Sequence, residues 1–291
     1  MRSKIGVVVM TYGSATTAEH VGAYFKHIYK NPSPELIRDF EHRYRLVGSS
    51  PLIAITKRQA AALQKLLGEK YVVRAGMRHS KPFIGEAVAA CKRAGATELR
   101  GIILSPQFSS FIMAGYKKDF AGAAQVQGFK KSSVAGPWPA EEHFIALLAK
   151  RIKEKLAKLG KDTPVIFTTH SLPRRVVEKD PSYLKQLSKT ISAVQKKLPA
   201  INWYSGYQSA GHTPEDWLKP DLVDILKKLQ GETKSALIVP IQFLADHLEI
   251  LYDLDVAARE QCEESGISYH RIELPNTDPL LIRSLASLAR E

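Results

Sequence analysis

The stretch Ser235–Ala257, SALIVPIQFLADHLEILYDLDVA, decides how the chain is read. Its opening run, Ala236 to Pro240, is apolar, β-branched and short, which fits a buried strand of a parallel sheet rather than a membrane span. The continuation reads as a helix on which Asp246, Glu249 and Asp253 recur at i, i+3 and i+7 and so share one face, with His247 near its start. Three carboxylates on one face repel each other unless a cation lies among them; the alternative is an ordinary solvated acidic face. Two facts favour a site. The helix directly follows a buried strand, where open α/β sheets place their ligands. The chain as a whole carries a formal charge of +13, so an acidic cluster runs against the background.

Working outward, six apolar segments read as strands and fall into two sets of three: 5–14, 71–82 and 99–110, then 164–173, 201–214 and 235–247. Helical patterns at 82–94, 141–159, 183–198 and 222–229 alternate with them, which predicts an α/β chain with parallel sheets and crossover helices. The two sets also resemble each other: VVVMTYGS beside VIFTTHSLP, AGMRHSKP beside SGYQSAGHTP, ILSPQF beside IVPIQF. A duplication of this kind predicts two similar domains facing a central cleft. Tyr12, His79 and Gln107 would lie on one wall, with His170, Gln208 and residues 242–249 on the other. The halves differ in one respect. The first two strands are about 60 residues apart in the first half and about 30 in the second, too much for a simple connection. The surplus, 24–56, contains YFKHIYKNPSPELIRDFEHRYRLVGSSPL, with prolines at 32, 34 and 51. It reads either as a lid laying aromatic faces and cationic tips over something flat and anionic, or as a surface helical hairpin without a ligand.

Composition narrows the function classes. With 291 residues, 44% hydrophobic and 24% charged, the chain has the make-up of one large or two ordinary globular domains. No segment approaches the roughly 18 apolar residues of a membrane helix. The early run Ile5 to Met10 is read as a first strand rather than a signal peptide, and a cytoplasmic location is expected. Cys91 and Cys262, the two cysteines, form no CxxC and no zinc spacing, so both are expected to be free thiols. Lys and Arg are scattered over helices without an aromatic-interleaved stripe, which argues against a nucleic-acid groove; an anionic small substrate accounts equally well for a positive field. There is no GxGxxG, GxxxxGK[ST] or GxSxG.

His170 ends the strand VIFTTH and precedes Ser171, Leu172 and Pro173. A histidine there can be a packed loop residue. If the duplication holds, it faces the acidic helix, where an imidazole opposite carboxylates suits a divalent first-row metal or a proton acceptor near neutrality. His170 and Glu249 alone are too few ligands for a permanent structural metal and suit one in transit. His79 reads as a strand cap and Trp217 as packing. His20, His27, His42, His143, His212 and His270 show no ligand spacing.

The stretches VVVMTYGS, RYRLVGSSPLIAIT, THSLP and YQSAGHTPEDWLKPDL, with PIQFLADHLEILYDLD, resemble the ferrochelatases over most of the chain. The resemblance implies two Rossmann-like domains, 1–140 and 141–275, with a porphyrin-covering insertion at 24–56 and a terminal helix, 276–291, returning to the first. It implies insertion of Fe2+, a substrate rather than a bound cofactor, into a porphyrin held between them. His170 and Glu249 match the facing pair credited with metal binding and proton removal, with Asp253 as a further metal candidate; which residue does which stays open. Tyr12 resembles the tyrosine of the Gram-positive branch, whose substrate is coproporphyrin III. Tyr29, Lys30, Arg43, Tyr44, Ser50 and Tyr116 fall on porphyrin-contacting positions. Two departures stand out. Relatives carry arginines where this chain has Tyr29 and Lys30, and Arg is the better bidentate carboxylate partner. The acidic ladder of relatives continues another turn, to a position that is Ala257 here, which argues against an outer metal site. The cysteines match no iron–sulfur cluster. A monomer without nucleic-acid or integral membrane partners is expected. The alternatives are a protoporphyrin IX ferrochelatase, a cobalt chelatase acting on sirohydrochlorin, a non-catalytic porphyrin or haem carrier, and a basic nucleic-acid-binding module.

Overall fold

The structure, a computed structural model, describes residues 3–211 and 214–291; His212 lies outside them. The first half runs β1 (Lys4–Thr11), α1 (Val21–Phe25), α2 (Pro34–Val47), α3 (Leu52–Leu67), β2 (Tyr71–Met77), α4 (Ile84–Arg93), β3 (Ala96–Ile103), α5 (Ser110–Val126) and β4 (Lys131–Val134). The second runs α6 (Glu142–Leu159), β5 (Val165–His170), α7 (Arg174–Lys179), α8 (Ser182–Gln195), β6 (Trp203–Gln208), α9 (Leu222–Leu229), β7 (Ser235–Pro240), a π-helix (Ile250–Ala258), α10 (Arg259–Glu264), β8 (Ser268–Arg271) and α11 (Pro279–Arg290).

Each half forms one four-stranded parallel sheet, in the orders β2-β1-β3-β4 and β6-β5-β7-β8. The same order twice, with β1 and β5 in equivalent inner places, fits the predicted duplication. The likeness extends to detail: Met77 bridges to Phe83 and Tyr207 to Asp221, and each bridge follows a cis Lys–Pro bond, Lys81–Pro82 and Lys219–Pro220. Sequence patterning missed the fourth strand of each sheet. β4 and β8 hold four residues each, KSSV, mostly exposed, and SYHR, mostly half-buried, with no apolar run to announce them.

The inner strands are apolar on both faces because helices cover both. Val8, Met10 and Ile103 pack outward under α4 and α5, and Ile166 and Ile238 pack under α9 and the π-helix. The opposite faces share one core. Val7, Val9 and Ile102 of the first sheet and Val165, Phe167, Leu237 and Val239 of the second join a single cluster through α3, α6, α8 and α11. Helix α6 is amphipathic on a wide stripe, with Phe144, Ile145, Leu147, Leu148, Ile152 and Leu156 buried, which suits a helix lying between two sheets. Helix α11 packs on α3 and α6 and touches β3. Residues 140 and 141 fall in the turn before α6, where the Glu141 side chain accepts from Phe144 N.

The 24–56 stretch is helical and has its own small core. Ser33 caps α2 by accepting from Leu36 N (3.2 Å), Pro34 opens it, and Gly48 ends it at φ 83°. Val21, Phe25 and Tyr44 meet Leu248 from the far half, with Phe40 and Tyr252 at the margin. The insertion therefore spans from the end of β1 to the π-helix.

Phe167→Ala, which opens a cavity where both sheets meet, is expected to destabilise the protein by about 3–5 kcal/mol in chemical denaturation. Burial pushes the Cys91 and Cys262 thiols up to about 11, and both are fully buried. Neither should react with an aromatic disulfide reagent at pH 8 until the protein is unfolded, when both should.

Candidate active site

The carboxyl ends of β1, β5 and β7 meet at one cleft. His170 is the last residue of β5, paired in register with Gln208 on β6. Its main-chain N–H donates to Gln242 Oε1 (3.0 Å), and Tyr183 OH lies 2.9 Å from its carbonyl and 3.0 Å from the same Gln242 oxygen. The imidazole Nδ1 sits 2.5 Å from Ser171 O. A carbonyl only accepts, so Nδ1 carries a proton and Nε2 is the nitrogen turned to the cleft. That Nε2 stands 3.7 Å from Glu249 Oε2.

On the other side of Glu249 is His247, whose Nε2 is 3.6 Å from the same Oε2 and whose Nδ1 donates to Ala245 O (2.9 Å). Two imidazoles anchored to main-chain carbonyls thus point at one carboxylate. Burial would raise the Glu249 pKa, but His170 and the hydrogen bond and charge of His247 bring it down to about 2. Burial works against protonation of His247, and its bond and charge contact with Glu249 overcome that and raise its pKa. Asp253 moves the other way: burial and the Glu249 charge push it up to about 6, against the Ser209 hydrogen bond and Arg43. Ser209 donates to Asp253 Oδ2, and Arg43 Nη1 lies 3.6 Å from Oδ1.

The expected acidic helix differs from prediction at its start. Residues 241–247 are irregular, and the helix that follows is π-helical over Ile250–Ala258. Each turn takes in more than four residues, so Glu249 and Asp253, four apart, stay on one side. Asp246 precedes the helix and leaves the site. It accepts from Asn276 Nδ2 (2.7 Å) and pairs with Arg271 (3.4 Å). Arg271 also forks onto Asp255, with Nε to Oδ1 at 2.6 Å and Nη2 to Oδ2 at 2.7 Å. Arg271 of β8 therefore clamps both flanks of the segment that carries His247, Glu249 and Asp253.

The facing wall is the turn after β1. Gly13 adopts φ 93°, and a Cβ there would meet Ser80 Oγ at 2.3 Å, so MTYGS requires its glycine. Tyr12 is 41% exposed, its ring 4.4 Å from that of His79, and its hydroxyl lies within electrostatic reach of Arg78, Tyr29 and Glu249. His79 donates its main-chain N–H to Tyr12 O, and its Nδ1 contacts His27 O at 3.0 Å, so it braces the turn as a cap. Tyr24 OH donates to Gly13 O (2.9 Å).

The other expected porphyrin-contacting residues divide by exposure. Tyr29 and Lys30 are exposed on the insertion, and Tyr29 lies within electrostatic reach of the Tyr12 hydroxyl. Arg43 is partly buried over the Phe40 and Tyr252 rings and pairs with Asp39 (2.9 Å) as well as Asp253. Tyr44, Ser50 and Tyr116 are buried within the wall. Tyr44 OH donates to Ala15 O, Ser50 Oγ to Ser14 Oγ, and Tyr116 lies under Arg78. Gln107 and Gln242, expected on the walls, are buried fasteners instead. Gln107 Nε2 donates to Thr190 Oγ1 (2.9 Å) and Ile241 O (3.2 Å), joining the halves. Gln208 is also buried beneath the site, its amide without a partner among the described residues. His247 is the residue that sequence reading undervalued; the signal was its spacing of two from Glu249. Among the described residues no three His, Cys, Asp or Glu side chains form a ready metal cage.

Two facing four-stranded parallel sheets covered by helices define the class of chelatase folds. The structures of SirB from Bacillus subtilis with Fe3+ (TM-score 0.63, 11% identity, covering 99% of this chain and 95% of that one) and of CbiX, the terminal enzyme of sirohaem biosynthesis in denitrifying bacteria (0.58, 13%, 99% and 98%), have the same fold. The chain belongs to the ferrochelatase family, whose model matches residues 4–291. It is 37% identical to the coproporphyrin III ferrochelatase of Halalkalibacterium halodurans over 303 residues (100% of this chain, 97% of that protein). It is 34% identical to that of Bacillus subtilis over 301 residues (99% and 97%).

Arg271→Met leaves Asp246 and Asp255 without their shared cation. It is expected to lower stability by roughly 3 kcal/mol, the lower end for breaking a shielded pair, read as a fall in the thermal midpoint.

Proposed function

We propose that this protein inserts Fe2+ into coproporphyrin III to form coprohaem in haem biosynthesis, acting as a cytoplasmic monomer without a permanently bound cofactor. The observation that supports the reaction is the His170 Nε2 to Glu249 Oε2 pair at 3.7 Å, facing Tyr12 across the cleft, in a chain of the ferrochelatase family. The named relatives supply the choice of porphyrin, and the exposed Lys30, next in sequence to Tyr29 on the insertion, suits a substrate with four propionates. No described helix is long and apolar enough to cross a membrane.

Insertion exchanges two pyrrole protons for one divalent cation, so charge balances if the protein takes both protons. A planar macrocycle holds its lone pairs in plane; binding energy at the propionates offsets the cost of buckling it toward the acceptor. His170, held by its Nδ1 on Ser171 O, takes a pyrrole proton at Nε2 from its neutral form. Glu249, held near 2, stays anionic and draws the cation in. Asp253, raised to about 6, is the next group able to carry a proton away. Tyr12, Tyr29 and Lys30 hold the porphyrin from the insertion side. Arg43, Tyr44, Ser50 and Tyr116 shape and charge the wall behind it.

His170→Ala should abolish insertion while porphyrin binding, read by fluorescence quenching, stays within about threefold; retained turnover would remove His170 from the mechanism. Glu249→Gln should slow turnover by about 100-fold or more. Anaerobic absorbance assays with Fe2+ should consume coproporphyrin III faster than protoporphyrin IX. The reverse order would keep the reaction and discard the substrate. Binding of both without insertion would make the protein a carrier.

A further inference from the structure

Strand β2 is an edge of the first sheet, with α3 covering one face and α4 the other. Between those helices its free edge forms the floor of a groove of about 770 Å³, within the range of roughly 300–1,000 Å³ typical of specific ligand sites. An open edge is ordinarily blunted, because unpaired main-chain groups invite another strand. Here the blunting is partial. Gln64 accepts from Val73 N (2.8 Å) and donates to Tyr71 O (3.0 Å), Arg74 donates to Val73 O (2.8 Å), and Met77 N donates to Pro82 O (2.8 Å). Tyr71, Val73 and Met77 thus turn their polar groups outward, and by strand alternation so does Ala75. Neither the N–H nor the C=O of Ala75 has an outward partner among the described residues.

The walls around that gap are small and the rim is basic. Ala60 and Ala61 on α3 face Ala87 and Ala90 on α4, leaving room for a chain to reach the floor. Lys57, Arg74, Lys81 and Arg93 line the same groove, and none of the four is in an ion pair among the described residues. Its single acid, Glu86, is already engaged as acceptor for Phe83 N (2.7 Å).

We propose that this groove docks an extended acidic segment of a partner polypeptide, pairing its main chain with Ala75 and setting its carboxylates against Lys57, Arg74, Lys81 and Arg93. Main-chain pairing supplies the geometry and the charges supply the selectivity, as in other strand-addition sites. The groove lies on the edge of β2 away from β1 and is separate from the residues assigned to the porphyrin.

The test uses the full chain and fluorescein-labelled dodecapeptides. One alternates Glu and Ala; the other has the same sequence with every peptide nitrogen methylated, with equal charge but no main-chain donor left. In fluorescence anisotropy the unmodified Glu-Ala peptide should bind at least about tenfold more tightly than the N-methylated one, and hydrogen exchange at the Ala75 amide should slow on binding. The double variant Lys57→Glu/Arg93→Glu, at two exposed positions, should weaken the unmodified Glu-Ala peptide by about tenfold or more. Equal binding of the two peptides, unchanged exchange at Ala75, an unaffected double variant or no binding would each overturn the proposal. Stoichiometric displacement by inorganic tripolyphosphate would overturn it in favour of a small-anion site.

Discussion

The structure turns on one carboxylate. Glu249 sits between two imidazoles whose other nitrogens are tied to main-chain carbonyls, so neither ring can rotate away without losing a hydrogen bond. The charges of the two histidines favour the ionised carboxylate, and burial together with the charge of that carboxylate raises Asp253 one turn below. Adjacent acids with opposed pKa shifts arise from this placement.

Holding that geometry requires two structures far apart in sequence. Tyr183 and Gln242 fasten the end of β5 to the segment after β7, and Arg271 of β8 clamps that segment at Asp246 and Asp255. The insertion closes the third side, since α1 and α2 build their small core against Leu248 and Tyr252.

Periodicity and apolar runs carried most of the architecture: the six inner strands, the alternation with helices and the internal duplication were all readable. β4 and β8 were not, because four-residue edge strands with polar sequences bury too little to leave a pattern. At the site, His170 and Glu249 were legible from position and type. Asp246 was misplaced because helical spacing assumes a regular helix from its first residue, whereas the chain stays irregular to His247 and then widens into π geometry. Gln107 and Gln242 read as wall residues because nothing in a sequence distinguishes a glutamine facing a cleft from one bonding across the core. The roles of Tyr44, Ser50 and Tyr116 behind the surface likewise depend on tertiary packing.

Gln107 has a further consequence. Its amide bridges to Thr190 and to the carbonyl of Ile241, at the base of a core that α3, α6, α8 and α11 share between both sheets. Swinging the halves apart like jaws would break that bridge and wet a continuous apolar interior. The small cluster under α1 and α2 is the cheaper place to open. For the proposed substrate, a broad macrocycle, entry is therefore a matter of a hatch in a fixed frame rather than of two domains that hinge.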